Sequence, residues 1–135
     1  MHALGVKLSA HLVAGDLILI NGPLGAGKTV LAQGIAAGLG ITDVTSPTFV
    51  ISRVHKAPLP LVHVDAYRLL DTANPSLYLD DLDLDIENSV TVIEWGGAES
   101  ARLSQNRLEI TIDRSDEVRK VEIKCLGKRW ADFSL

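Results

Sequence analysis

Gly22-Pro23-Leu24-Gly25-Ala26-Gly27-Lys28-Thr29 is a complete G-x-x-x-x-G-K-[ST] motif, and its surroundings decide the fold. The glycines admit backbone turns that a β-carbon blocks, so successive N–H groups can point inward at an anion. Lys28 supplies a point charge suited to β- and γ-phosphates, and the Thr29 hydroxyl is suited to Mg²⁺. Upstream, Asp16-Leu17-Ile18-Leu19-Ile20-Asn21 follows Gly15 and reads as a short buried strand. Downstream, Leu31, Ile35 and Leu39 recur at helical spacing, and Gly40 stands where a C-terminal cap belongs. Strand, glycine loop, helix is the order that aims a helix N-terminus at phosphate. A glycine-rich turn that binds nothing leaves that order unexplained.

The chain of 135 residues is the length of one domain, 1–135, and can bury a real core. Hydrophobic residues make up 47% and aromatics 4%, so that core is mainly aliphatic. A net charge of −4 disfavours nucleic-acid binding by bulk charge. Cys125 is the only cysteine, which excludes an intrachain disulfide and a cysteine-built zinc site. No apolar run approaches the roughly 20 residues of a membrane span. Met1 to Lys7 carry no secretory pattern. A cytoplasmic location is the expectation.

Leu4, Leu8 and Leu12 share a helical stripe and predict a short amphipathic helix over 3–13. Phe49 to Val54 reads as a strand, His55 to Pro60 as a turn, and Leu61-Val62-His63-Val64-Asp65 as a buried strand ending on an acid. Residues 71–88 are acidic, without Lys or Arg, and read as loop and short helix. Val90-Thr91-Val92-Ile93-Glu94 is another buried strand ending on an acid. Leu108, Ile110 and Ile112, then Val121, Ile123 and Cys125, alternate with polar residues and predict an antiparallel hairpin across Asp113 to Glu117. Lys128 to Leu135 predicts a helical turn with Trp130 and Phe133 docked. The architecture expected is a three-layer α/β domain of the P-loop NTPase kind. Its central sheet is mainly parallel and is extended by antiparallel strands.

In an open α/β sheet, Asp65 and Glu94 face the same crevice as the glycine loop. With Thr29 they form a set of hard oxygen donors for Mg²⁺, acting directly or through water. Thr45-Ser46-Pro47-Thr48 sits where phosphate-loop proteins sense the γ-phosphate. It also fits a local hydrogen-bonded turn. His63 lies two residues before Asp65 on the same side of its strand and reads as a packed, hydrogen-bonded side chain. Trp95, before Gly96-Gly97, suits either stacking or core packing. Arg53, Arg68 and Arg119 are equal candidates for stabilising transition-state charge. No guanine-reading Asn-Lys-x-Asp sequence is present, so ATP is preferred over GTP.

Together these residues resemble the TsaE (YjeE) family. The resemblance runs through Gly15-Asp16, Leu24-Gly25-Ala26-Gly27-Lys28-Thr29, Gly38-Leu39-Gly40-Ile41, Ser46-Pro47-Thr48-Phe49, His63-Val64-Asp65-Ala66-Tyr67-Arg68-Leu69 and Ile93-Glu94-Trp95. It covers nearly the whole chain, in order. It implies a bacterial ATPase, weak alone, that binds ATP and Mg²⁺. It also implies action with the TsaD and TsaB proteins in forming threonylcarbamoyladenosine (t6A) at position 37 of tRNA, the tRNA being met through that complex. The site so implied has Lys28, Asp65 and Glu94 as catalytic residues and Thr29, Asp65 and Glu94 around the metal. Gly25, Ala26, Gly27, Lys28, Thr29, Val30, Ser46, Thr48, Trp95 and Arg119 surround the nucleotide.

Three features depart from the family pattern. Pro23 replaces a polar residue, and Val30 replaces a hydroxyl that contacts the α-phosphate. The segment that in relatives precedes the first helix and reaches the adenine is expected to be short. Two other readings compete: a non-hydrolysing nucleotide switch, and a small-molecule phosphotransferase. The second needs an acceptor pocket and a lid, for which the chain has little room.

Overall fold

A computed structural model describes residues 1–23, 25–41, 52–65, 85–95, 100, 103–114 and 118–134, with the backbone alone at 52 and 53. The elements are α1 (His2–Ser9), β1 (Leu17–Asn21), α2 (Lys28–Gly38), β2 (Ser52–His55), β3 (Leu61–Asp65), β4 (Val90–Glu94), β5 (Arg107–Asp113) and β6 (Lys120–Leu126). A 3₁₀ turn over Lys128–Trp130 follows. Among the described residues no helix is long and apolar enough to cross a membrane.

The strands form one six-stranded sheet in the order β2-β3-β4-β1-β5-β6. β1 runs parallel to β4 and to β5, and β3 runs parallel to β4. β2 and β6 close the two edges antiparallel. The protein is thus α/β with a mainly parallel sheet. The hairpin does form, but its first strand belongs to the parallel core. Antiparallel pairing lies at both edges rather than at the hairpin alone.

Alternation along the strands sorts side chains to two faces. Ile18, Ile20, Val92, Leu108, Ile110 and Ile112 pack with Leu8, Leu31, Ala32 and Ile35 of the helices in one cluster. Leu17, Leu19, Val62, Val64 and Ile93 point the other way and are buried too. α1 lies directly on α2, an approach that small residues permit. A Cβ on Gly34 would stand 2.2 Å from the His2 carbonyl oxygen, and one on Gly5 would stand 2.4 Å from that of Leu31. No local pattern in the sequence encodes this crossing.

Helix ends have local causes. α1 stops at Ser9 rather than continuing to 13. Asp16 Oδ2 accepts the Val13 N–H at 2.8 Å, which withdraws that donor from the helix ladder. Leu12 stays buried in the turn beyond. α2 ends in a Schellman arrangement around Gly40. Ile41 N–H donates to Ala36 O at 2.9 Å and Gly40 N–H to Ala37 O at 3.1 Å. β2 reaches His55, one residue into the expected turn. The expected strand residues 49–51, the acidic stretch 71–84 and hairpin residues 115–117 lie outside the described residues.

The tail docks as expected. Trp130 is buried, and Phe133 meets its ring edge-on at 5.1 Å between centroids. Arg129 reaches back to Asp16, ahead of β1, with Nε on Oδ1 and Nη2 on Oδ2, each at 3.1 Å.

Candidate functional site

β1 delivers the glycine loop to the carboxyl end of the sheet, and α2 starts at Lys28. Gly27 caps α2 with φ 109°, a left-handed conformation that a side chain would strain. A cleft of about 520 Å³ opens beside the loop, lined by Gly25, Gly27, Lys28, Thr29, Val30, Asp65, Glu94, Trp95 and Arg119, and by Met1 as well. Nine expected site residues therefore converge on one cavity. Ala26 is fully buried, and its N–H donates to Pro23 O at 3.1 Å. Ser46, Thr48 and Arg68 lie outside the described residues, as does the Arg53 side chain.

Lys28 is buried and folds back over its own loop. Its Nζ donates to Gly22 O and Pro23 O, both at 2.8 Å. An ammonium carries three donors, so one remains for another acceptor. The Trp95 ring covers the ammonium, with Nζ 3.9 Å from its centroid. Burial lowers the Lys28 pKa from its ordinary 10.5, and the carboxylates of Glu94 and then Asp65 pull it back up. Trp95 is itself strained: its φ is 65°, a region that non-glycine residues seldom adopt. Its N–H donates to Ile20 O at 2.9 Å, which holds the turn against β1.

Strand register sets the acids. Asp65 and Glu94 are direct partners across β3 and β4, and Ile20 of β1 is opposite Glu94. Glu94 is buried, yet both carboxylate oxygens are satisfied. Thr29 Oγ1 donates to Oε1 at 3.0 Å, and His63 Nε2 lies 2.5 Å from Oε2. The reading of His63 as a packed, hydrogen-bonded residue thus holds, with a site acid as its partner. Among the described residues, no group of three or more His, Cys, Asp or Glu converges to hold a metal.

Arginines arrive from the β5–β6 hairpin. Arg119 Nη2 donates to Gly25 O at 3.4 Å, a long bond. Arg114, which no motif in the sequence marks, packs on the same glycine. A Cβ there would stand 2.7 Å from its Nη1. Only its place at the end of β5 could have pointed to it. Val30 is exposed at the cleft and presents a methyl surface to it.

A mostly parallel sheet, with a glycine loop between its central strand and a helix, defines an α/β protein of P-loop-like fold. A crystal structure of YdiB from Bacillus subtilis superposes with a TM-score of 0.72 at 32% identity, covering 96% of this chain and 81% of that one. The family model described as threonylcarbamoyl adenosine biosynthesis protein TsaE matches residues 1–121. A Streptomyces coelicolor protein named tRNA threonylcarbamoyladenosine biosynthesis protein TsaE is 49% identical, over 97% of this chain and 94% of its own length. The Bacillus subtilis protein of that name is 37% identical, over 95% and 81%. The chain belongs to the TsaE family.

Proposed function

We propose that this chain binds ATP with Mg²⁺ and hydrolyses it weakly, in support of t6A formation on tRNA together with TsaD and TsaB. The observation that carries this reading is the hydrogen bond from Thr29 to Glu94 at the head of α2, beside Lys28. With its proton on Glu94, the Thr29 oxygen keeps its lone pairs for a cation. Thr29, Glu94 and the adjacent Asp65 are hard oxygen donors, a set that fits Mg²⁺ when phosphate oxygens and water complete it. Bound there, the ion would offset phosphate charge.

The chain's own groups divide the remaining work. The Lys28 ammonium, held by the Gly22 and Pro23 carbonyls and covered by Trp95, offers its third N–H to a phosphate oxygen. Glu94 orients the Thr29 hydroxyl, and Asp65 adds negative charge at the cleft. Arg119 stands at the loop as the positive group for developing phosphate charge. Val30 removes one donor, which weakens the hold on the α-phosphate.

The test is ATP hydrolysis by the purified protein, with and without TsaD and TsaB. Slow phosphate release that rises with the partners is expected. ATP binding without release, even with both partners, would instead make the protein a nucleotide switch. A phosphorylated small-molecule product would make it a phosphotransferase.

A further inference from the structure

His63 is fully buried on β3, one step diagonally from Glu94 on β4, because its direct partner in register is Val92. It does not itself line the cleft and meets it only through Glu94. Its Nδ1 is buried and has no hydrogen-bond partner among the described residues. A proton on Nδ1 would be a buried donor without an acceptor, so the tautomer that fits carries its proton on Nε2 and donates it to Glu94 Oε2. The hydrogen bonds then run in one direction each: His63 into Oε2, Thr29 into Oε1. Glu94 cannot turn without breaking one of them. Turning would also leave its charge less satisfied in a buried place.

We propose that His63 is a positioning residue for the metal side of the site. It acts through Glu94 on the Thr29 hydroxyl, sets the affinity for the divalent cation, and contacts neither nucleotide nor cation. The inference rests on the reading of the cleft as an ATP and Mg²⁺ site. It separates from plain core packing, because a histidine that only fills space affects stability and leaves the metal dependence alone.

Binding of a fluorescent ATP analogue, titrated with Mg²⁺, reads this without turnover. Asn at position 63 places its amide near the Nδ1 position and falls short of Glu94; Gln reaches the Nε2 position. His63→Asn is expected to raise the Mg²⁺ concentration for half-maximal tightening about tenfold, with Mg²⁺-free affinity unchanged. His63→Gln restores most of that loss. In a Thr29→Val background, His63→Asn adds nothing further. A His63→Asn protein that only melts earlier, or whose metal defect persists beside Thr29→Val, overturns the proposal.

Imidazole ¹⁵N resonances of the wild-type protein give a second measurement if the Asn variant does not fold. A proton on Nε2 and a shift of that signal when Mg²⁺ joins the ATP complex are expected. A proton on Nδ1, or an unmoved signal, overturns the proposal. Wild-type protein that binds ATP without any Mg²⁺ dependence refutes the underlying reading, and this inference with it. Dependence in the wild type with none lost in the variant refutes the positioning role alone.

Discussion

Asp16 and Glu94 are both buried acids, placed at opposite ends of the sheet. Asp16 precedes β1 and is met by a charge: Arg129 forks onto both oxygens, and the Val13 N–H adds a third bond. The same Arg129 donates to His11 O at 2.6 Å and stacks on Trp130. This arrangement ties the chain's beginning to its end and leaves no charge for a ligand. Glu94 ends β4 and is met by a hydroxyl and an imidazole, with the Lys28 ammonium near it. Burial alone does not separate a structural acid from a functional one. The partner sets differ: a forked guanidinium completes the Asp16 carboxylate, whereas a hydroxyl and an imidazole meet Glu94 at the wall of a cleft.

The sharpest way to break this contrast is Lys28→Ala. Hydrogen bonds to charged groups contribute about 1.5–3 kcal/mol each, so ATP affinity is expected to fall roughly 100-fold. The melting temperature moves little, since the Asp16 clamp is untouched. Titration calorimetry and thermal melting check both halves. Retained affinity would remove the glycine loop from the proposed function.

Next come Asp65→Ala and Glu94→Ala, each expected to cut Mg²⁺-dependent hydrolysis by about 10- to 100-fold. ATP turnover unchanged in both would sink the metal assignment. At the other end, Arg129→Ala strands a buried carboxylate. Breaking a fully buried pair costs about 3–5 kcal/mol; Arg129 is partly exposed, so about 2 kcal/mol is expected. That corresponds to a melting temperature lower by roughly 5–10 °C. Nucleotide affinity stays within about twofold. A large affinity loss here would show that the two ends are coupled and that the contrast is drawn too sharply.

The smallest effect concerns Lys28 and pH. Burial lowers its pKa in the folded state, whereas the unfolded chain holds the proton up to 10.5. Between those values the unfolded state binds more protons, so stability rises with pH. Urea unfolding should therefore show the wild type gaining on Lys28→Met as pH climbs toward 10.5. A constant difference would mean that the folded protein does not penalise the ammonium.

Much of the fold was legible because its signals are local. The glycine loop, β1, α2 and the acid-ended strands β3 and β4 follow from motif and periodicity over a few residues. The crossing of α1 on α2 was not legible: Gly5 and Gly34 look like helix-weakening residues until their lack of a Cβ is seen to admit a neighbouring backbone. The parallel pairing of β5 with β1 was hidden by its stronger local pairing with β6. Of the three candidate arginines, Arg119 is the one whose side chain is described; the structure places it at the loop, with Arg114 beside it.

The sequence by itself determined that this chain carries a phosphate-type loop between a strand and a helix, followed by strands ending on Asp65 and Glu94. Those features are written in residue spacing, which backbone sterics and side-chain periodicity translate directly. Which partners each buried acid meets was decided only by tertiary structure. His63 and Thr29 stand 31 and 65 positions from Glu94, and Arg129 stands 113 from Asp16. Hydrogen bonds across such separations depend on strand order and register, and no local pattern encodes those.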